Sequence, residues 1–215
     1  ASHGISFGGM NGGDRDVEAD GFGDLTYATP GAIDEITIDS LSLDGENLIS
    51  GTSDGAALTT LTYRNIGDFV LNTASSDTTG ANADHVQVNP NGVNIGSDSF
   101  RYHGGVLTGN ADTLVVDGGT YPFFSDPAGS TTNLTVSVNE DGANSAAAQF
   151  GAAASHLAQL LLGQAGTATL MATAIHPLLV ADHFEVAETG GSPLGTLNLV
   201  IGGLLVDYDD AGPSP

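Results

Sequence analysis

Short segments of the chain alternate apolar and polar residues. In Ile36-Thr37-Ile38 and Leu41-Ser42-Leu43 the apolar side chains recur at every second position. Val86-Gln87-Val88, Val93-Asn94-Ile95, Leu134-Thr135-Val136-Ser137-Val138 and Leu197-Asn198-Leu199 repeat the pattern. A period of two places such side chains on one face of a strand. Turn-forming pairs stand between the segments: Asp44-Gly45, Asn91-Gly92, Asp117-Gly118-Gly119 and Asp141-Gly142. Many short strands separated in this way predict an all-β chain. One stretch departs from the pattern. Ala143–Leu162 is rich in Ala, Gln and Leu, which favour helix, and Leu157, Leu160 and Leu161 would share one helical face. Flanking Ala168-Thr169-Leu170, Leu178-Leu179-Val180 and Phe184-Glu185-Val186 are strand-like, so residues 145–162 are open to either a short helix or a strand.

Composition narrows the function classes. The 215 residues include 31 glycines, no cysteine and 26 acidic residues against three basic ones, for a net charge of −23. The three basic residues are Arg15, Arg64 and Arg101; there is no lysine. Phosphate backbones and anionic bilayers are recognised by clustered Lys and Arg, so nucleic acid and anionic membranes are excluded as partners. No apolar run reaches the roughly 20 residues needed to span a membrane. Hydrophobic content of 40% argues against wholesale disorder. Zero cysteine removes disulfides, iron–sulfur clusters and thiol catalysis. The mixture of no Cys, no Lys and abundant Asp, Gly, Thr and Asn suits a secreted bacterial surface protein whose acid excess is neutralised by divalent cations. An opening Ala1-Ser2-His3 without a visible signal peptide reads as a processed secreted product or an artificial start. The chain divides into a Gly/Asp-rich segment, 1–32, and a β-rich domain, 33–215.

The last third carries a family resemblance. His156-Leu157-Ala158-Gln159-Leu160 is followed by Gly166–Leu170, Leu178–Val180, Gly195–Leu199 and Leu204-Leu205-Val206-Asp207-Tyr208. This order resembles the C-terminal β-solenoid segment of large secreted bacterial surface proteins of the autotransporter-like repeat type. Leu61–Ile66, Asp84–Val88, Ala111–Val116 and Asn133–Val136 are similar to central coils of the same proteins, and the likeness covers about residues 48–210. Leu197-Asn198-Leu199 departs from the Leu-Asp-Leu phrase usual there. The resemblance implies a β-solenoid, or β-helix, with a β-sandwich or jelly roll as the alternative. Solenoid coils bury their apolar faces only by stacking, and an uncapped end is an assembly surface.

Asp16-Val17-Glu18-Ala19-Asp20-Gly21-Phe22-Gly23-Asp24 is the sharpest local motif. Calcium loops place oxygen ligands at alternating positions and turn sharply at Gly. Asp16, Glu18, Asp20 and Asp24, with the Phe22 carbonyl, meet that pattern, although Tyr27 stands where an EF-hand would carry its bidentate Glu. Through Thr29-Pro30-Gly31 the segment resembles a single FG-GAP-type repeat, which implies a structural calcium. An acidic, solvated loop is the plainer reading. His3 near a free amino terminus would offer Cu²⁺ or Ni²⁺ a square-planar site, against a plain terminal remnant. The other histidines lack ligand spacing.

No enzyme emerges from these residues. A polysaccharide lyase needs a basic residue and an acidic polymer, which this charge repels. Glycoside hydrolysis needs two carboxylates, yet Trp is absent and aromatics are only 6%. Neither a Gly-x-Ser-x-Gly elbow nor a His-Glu-x-x-His motif occurs. Thr120–Gly129, with Tyr121, resembles the tyrosine-ligand loop of secreted haemophores of the HasA type, which keeps a haem scavenger or glycan-binding module as the alternative. The reading that best fits is a non-enzymatic, extracellular structural subunit of a cell-surface fibre, sheath or layer, with further copies of itself as partner. Ile36–Leu43 and Leu197–Val206 are its expected exposed edges, and Gly4–Gly13 a segment donated to a neighbour. Asn133-Leu134-Thr135 is a formal glycosylation sequon.

Overall fold

A computed structural model describes residues 17–41, 45–76, 83–88, 96–104, 112–117, 119–124, 134–139, 146–150, 154–170, 178–200 and 202–206. They begin with β1 (Val17–Asp20), β2 (Asp24–Ala28), β3 (Asp34–Ser40), β4 (Glu46–Ser53), β5 (Ala56–Ala57), β6 (Leu61–Arg64) and β7 (Ile66–Asn72). Next come β8 (His85–Val88), β9 (Ser97–His103), β10 (Thr113–Val116), β11 (Gly119–Phe124), β12 (Thr135–Val138), β13 (Ala146–Phe150) and β14 (Ala154–Leu162). The last are β15 (Gly166–Leu170), β16 (Leu178–Val186), β17 (Glu188–Thr189), β18 (Ser192–Pro193), β19 (Thr196–Asn198) and β20 (Gly203–Val206). The chain is all-β.

Two sheets hold nearly all of these strands. The larger has the order β1-β6-β4-β3-β8-β10-β12-β14-β16-β20, with β5 beside β4; the second runs β19-β15-β13-β11-β9-β7-β2. From β7 to β16 successive strands alternate between the two sheets, and β19 and β20 repeat the step beyond the small β17–β18 hairpin. Strands brought together in this way are parallel, as in β8–β10, β10–β12 and β12–β14. Parallel neighbours need a long crossover, and here each crossover is a strand of the opposite sheet. Paired positions lie 28 residues apart from His85 to Thr113, 22 from Thr113 to Thr135 and 24 from Thr135 to Gln159. Jelly rolls are built from antiparallel neighbours, whereas among the described strands antiparallel pairing is confined to β3–β4, β4–β5, β4–β6 and β17–β18.

The register stacks like on like. Ile36, Val86, Leu114, Val136, Leu160 and Phe184 form one column across the larger sheet, and Ile38, Val88, Val116, Val138, Leu162 and Val186 form a second. In the second sheet Leu25, Phe69, Phe100, Phe123, Phe150 and Leu170 share one register. The sequence alternation thus becomes a continuous core between the sheets, with each fully buried large aliphatic side chain stabilising the fold by about 1.5–3 kcal/mol. β4, β6 and β1 extend the larger sheet beyond β3 and bury Ile49, Leu61, Tyr63 and Ala19. Tyr63 stacks on Phe69 of the second sheet with ring centroids 4.6 Å apart.

Two expectations need correction. Residues 145–162 contain strands β13 and β14 and no helix among their described positions. Ala146, Ala148 and Phe150 face inward while Ala147 and Gln149 face outward; the alternation is hidden in the sequence because both faces use alanine. Leu157 and Leu160 both point inward because the strand carries a bulge, the amides of Ala158 and Gln159 both facing the Leu134 carbonyl at 2.9 and 3.4 Å. A bulge adds one residue, so the spacing of two becomes the helix-like spacing of three. The second correction concerns the edges. β3, which carries Ile36 and Ile38, lies between β4 and β8 in the interior of its sheet, whereas β19 and β20 are terminal. β1 and β2 pair with β6 and β7, so residues 17–28 are part of the same two sheets as the chain that follows.

Close approach of neighbouring backbone makes particular glycines necessary. Gly163 donates its amide to the Val138 carbonyl at 2.9 Å, and a Cβ there would collide with the Asn139 carbonyl. At Gly203 a Cβ would meet only Leu178 Cδ1, at 3.7 Å. Gly163→Ala is expected to lower stability by about 1–3 kcal/mol through overpacking, whereas Gly203→Ala should stay within about 0.5 kcal/mol. Urea unfolding midpoints of the two variants check the contrast.

Candidate functional site

Strand alternation places Glu18 and Asp20 on the outer face of β1, either side of buried Ala19. The parallel neighbour β6 puts Arg64 opposite Asp20. Its guanidinium lies 2.9 Å from Asp20 Oδ2 and 3.4 Å from Glu18 Oε1. Arg64 Nε donates to the same Asp20 oxygen at 3.0 Å, and Asn65 Nδ2 donates to Oδ1 at 2.8 Å. The Asn65 hydrogen bond, with those of Arg64, holds the Asp20 carboxyl below its ordinary value. Glu46 of β4 sits in register with Arg64, and its charge joins those of Asp20 and Glu18 in raising the guanidinium's pKa.

Past Gly21, whose φ of 74° requires glycine, the chain turns into the second sheet. Asp24 therefore opens β2 rather than extending the row of Glu18 and Asp20. The Phe22 carbonyl accepts the Gly67 amide at 3.0 Å. Asp16 lies outside the described residues. Among the described residues no group of three or more His, Asp or Glu side chains is placed to hold a metal ion.

The remaining sequence candidates are scattered. Tyr121 lies within β11, in register with Ala148 of β13, and the rest of the haemophore-like segment, 125–129, is outside the described residues. His85, His103, His156 and His183 stand on four different strands, β8, β9, β14 and β16. His183 is 3.5 Å from Glu185 on the exposed side of β16. His3, His176, Asn133 and Gly4–Gly13 are outside the described residues. Arg101 pairs with Asp68 of the adjacent coil at 2.7 Å.

The two ends of the stack differ. At the β1/β2 end Ala19, Leu25 and Tyr27 are buried. At the β19/β20 end Leu197, Leu199 and Leu204 are only partly covered, while Leu205 is 52% and Val200 58% exposed. β20 adjoins only the Leu178–Ala181 half of β16, and β19 adjoins only β15. Both are parallel edges with one side unpaired among the described strands. Such edges are templates for adding another strand.

No family model, curated protein or solved structure matches this chain. The edge at Leu197–Val206 was anticipated from the sequence, but the tie of Glu18 and Asp20 to Arg64 was not; Arg64 lies 44 residues beyond Asp20 and only the coil register joins them.

Charge leads to a prediction. With 26 acids against three arginines, self-repulsion opposes folding and is screened by salt. The thermal midpoint should rise between low and molar NaCl. Replacing Arg64 by Met should move the Asp20 carboxyl upward toward its ordinary value in an NMR titration, with little change in the midpoint, since the pair is solvent-exposed.

Proposed function

We propose that the protein is a non-enzymatic, extracellular structural subunit of a cell-surface fibre, sheath or layer, wound as a β-solenoid and joined to further copies of itself through strand edges. The observation that carries this reading is the incompletely covered β19/β20 end, with Leu205 and Val200 exposed beside two unpaired parallel edges. The opposite edges suit it: β1 runs parallel to β20 within one sheet, and β2 parallel to β19 within the other. Head-to-tail addition would continue both ladders in the same sense, and heterologous contacts of this kind generate open filaments.

Calcium has a structural role in this proposal. It would be held by Asp16, Glu18, Asp20 and Asp24, and would have to displace Arg64 from Asp20. Isothermal titration with calcium should therefore give tighter binding to Arg64→Met than to the parent chain. Equal binding, or none, would remove calcium from the proposal.

Assembly is tested by negative-stain electron microscopy and light scattering at micromolar to millimolar concentration, in calcium and in EGTA. Regular polymers are expected, with Leu205→Asp shifting the onset to at least about tenfold higher concentration, as burial of a charge at a former apolar contact requires. Monodisperse monomers in both conditions would sink the assembly reading.

A further inference from the structure

We propose that the last two strands, β19 and β20, are exchanged between two copies of the chain, with the β17–β18 hairpin as the hinge. Exchange goes beyond head-to-tail addition and does not depend on it.

The exchanged unit is weakly covered. Among the described residues from Asp182 to Val206 none is fully buried, whereas β12, β13, β14, β15 and the first half of β16 each bury apolar side chains. β19 is held by three register positions on β15, and β20 by four on β16. Each stands at the end of its sheet among the described strands. The pair can therefore leave without breaking a ladder between other strands. Segments with little buried apolar surface open at low free-energy cost.

The hinge lies between β16 and β19. β17 and β18 stand outside both large sheets and pair only at Glu188 with Pro193 and Thr189 with Ser192. Glu188 to Pro193 are all exposed, and Gly190 and Gly191 make the turn at φ 60° and 80°. An isolated two-stranded hairpin is marginal in water. This one is closed by the Leu194 amide, which donates to the Ala187 carbonyl at 2.7 Å. Its ends are anchored to the body: Ala187 N–H donates to the Leu162 carbonyl at 2.7 Å, and Ala165 N–H donates to the Leu194 carbonyl at 3.0 Å. Opened and extended, the chain from Ala187 to Leu194 spans up to about 25 Å. Ala187 can thus stay on Leu162 while Leu194, β19 and β20 take the same places on a second copy. The receiving edge fits that segment. A Cβ at Gly195 would lie 2.8 Å from Leu162 Cβ, so the strand that enters there must lead with glycine.

Charge favours this end of the molecule as the joint. At −23, two copies repel wherever carboxylates meet. No Asp, Glu, Arg or Lys occurs between Asp141 and Asp182 or between Glu188 and Asp207. The exchanged strands and the positions that receive them, Gly166–Leu170 and Leu178–Ala181, lie inside these two stretches. The joint therefore sets no carboxylate against another. Its contacts are those a single copy already makes, which is why exchange is a low-cost route to a dimer.

The chain has no cysteine, so introduced cysteines report the pairing directly. Thr196 of β19 stands opposite Thr167 of β15, and a strand spacing of about 4.8 Å is within disulfide range. Thr196→Cys and Thr167→Cys chains would be mixed, unfolded in urea, refolded together and oxidised. A short linker gives the home pairing an effective concentration of about millimolar, so refolding is done at about millimolar protein. A mixture of Thr26→Cys and Thr167→Cys gives the collision background. The dimer joined through residues 196 and 167, identified by peptide mapping, should exceed that background at least about tenfold. Locking the hairpin with oxidised Thr189→Cys and Ser192→Cys should leave the chain monomeric in sedimentation, and reduction should restore the dimer. Equal cross-linking in the two mixtures, or dimers indifferent to the lock, would overturn the exchange. Should Thr196→Cys or Thr167→Cys fail to fold, Asn198→Cys and Thr169→Cys, also opposite each other, take their place. Head-to-tail addition sets β19 against β2 and does not join residue 196 to residue 167. Filaments without the cross-link would keep that reading and reject exchange; cross-linked dimers without filaments would do the reverse.

Discussion

Parallel register between neighbouring strands is the constraint on which the other features rest. From β7 to β16 successive strands go alternately to the two sheets, and backbone hydrogen bonds align each with the preceding strand of its own sheet. Val86 lies beside Ile36, Leu114 beside Val86, Val136 beside Leu114, Leu160 beside Val136 and Phe184 beside Leu160, so one apolar row crosses five successive pairings of the sheet. A slip of one residue would turn a whole apolar row to solvent. The same register stacks the aromatic row Phe69 and Phe100, with ring centroids 5.8 Å apart, and admits no Cβ at Gly163.

Stacking also concentrates whatever polar chemistry a repeated position carries. An aspartate at one corner is unremarkable; Asp34, Asp84 and Asp112, each just before a strand of the larger sheet, make a buried acidic strip in a protein already at −23. On the outer face the same geometry brings Arg64 between Glu18, Asp20 and Glu46, and Arg101 onto Asp68. Screened, exposed pairs of this kind contribute little to stability; they neutralise charge locally where coils meet. The acid excess and the apolar columns therefore pull in opposite directions, and ionic strength, by screening the charge, shifts the balance between them.

The ends follow from the same logic. An open sheet of parallel strands has no internal means of satisfying its last strands. At one end the chain inserts β4 and β6 beside β3, and their side chains close the core over Phe69. At the other, β19 and β20 leave Leu205 and Val200 in solvent. This asymmetry is the feature on which the proposed assembling role rests.

Much of this was legible in the residues. The alternating phrases at Ile36–Ile38, Val86–Val88 and Leu134–Val138, with turns between them, determined that the chain is all-β, because a period of two is a local property of each segment. The phrase Asp-x-apolar-x-apolar, present at Asp34, Asp84 and Asp112, was equally visible as a repeat, but nothing local says that its aspartates meet. Alanine on both faces of β13 and a bulge in β14 erased or mimicked periodicity, so helix and strand could not be separated there. Only the tertiary structure decided which strand lies beside which: that β3 is interior and β20 terminal, that Arg64 reaches back to Asp20, and that three aspartates share one buried column. Those outcomes depend on contacts between residues 22 to 50 positions apart, and a pattern read along the chain carries no information about which distant segment supplies the partner.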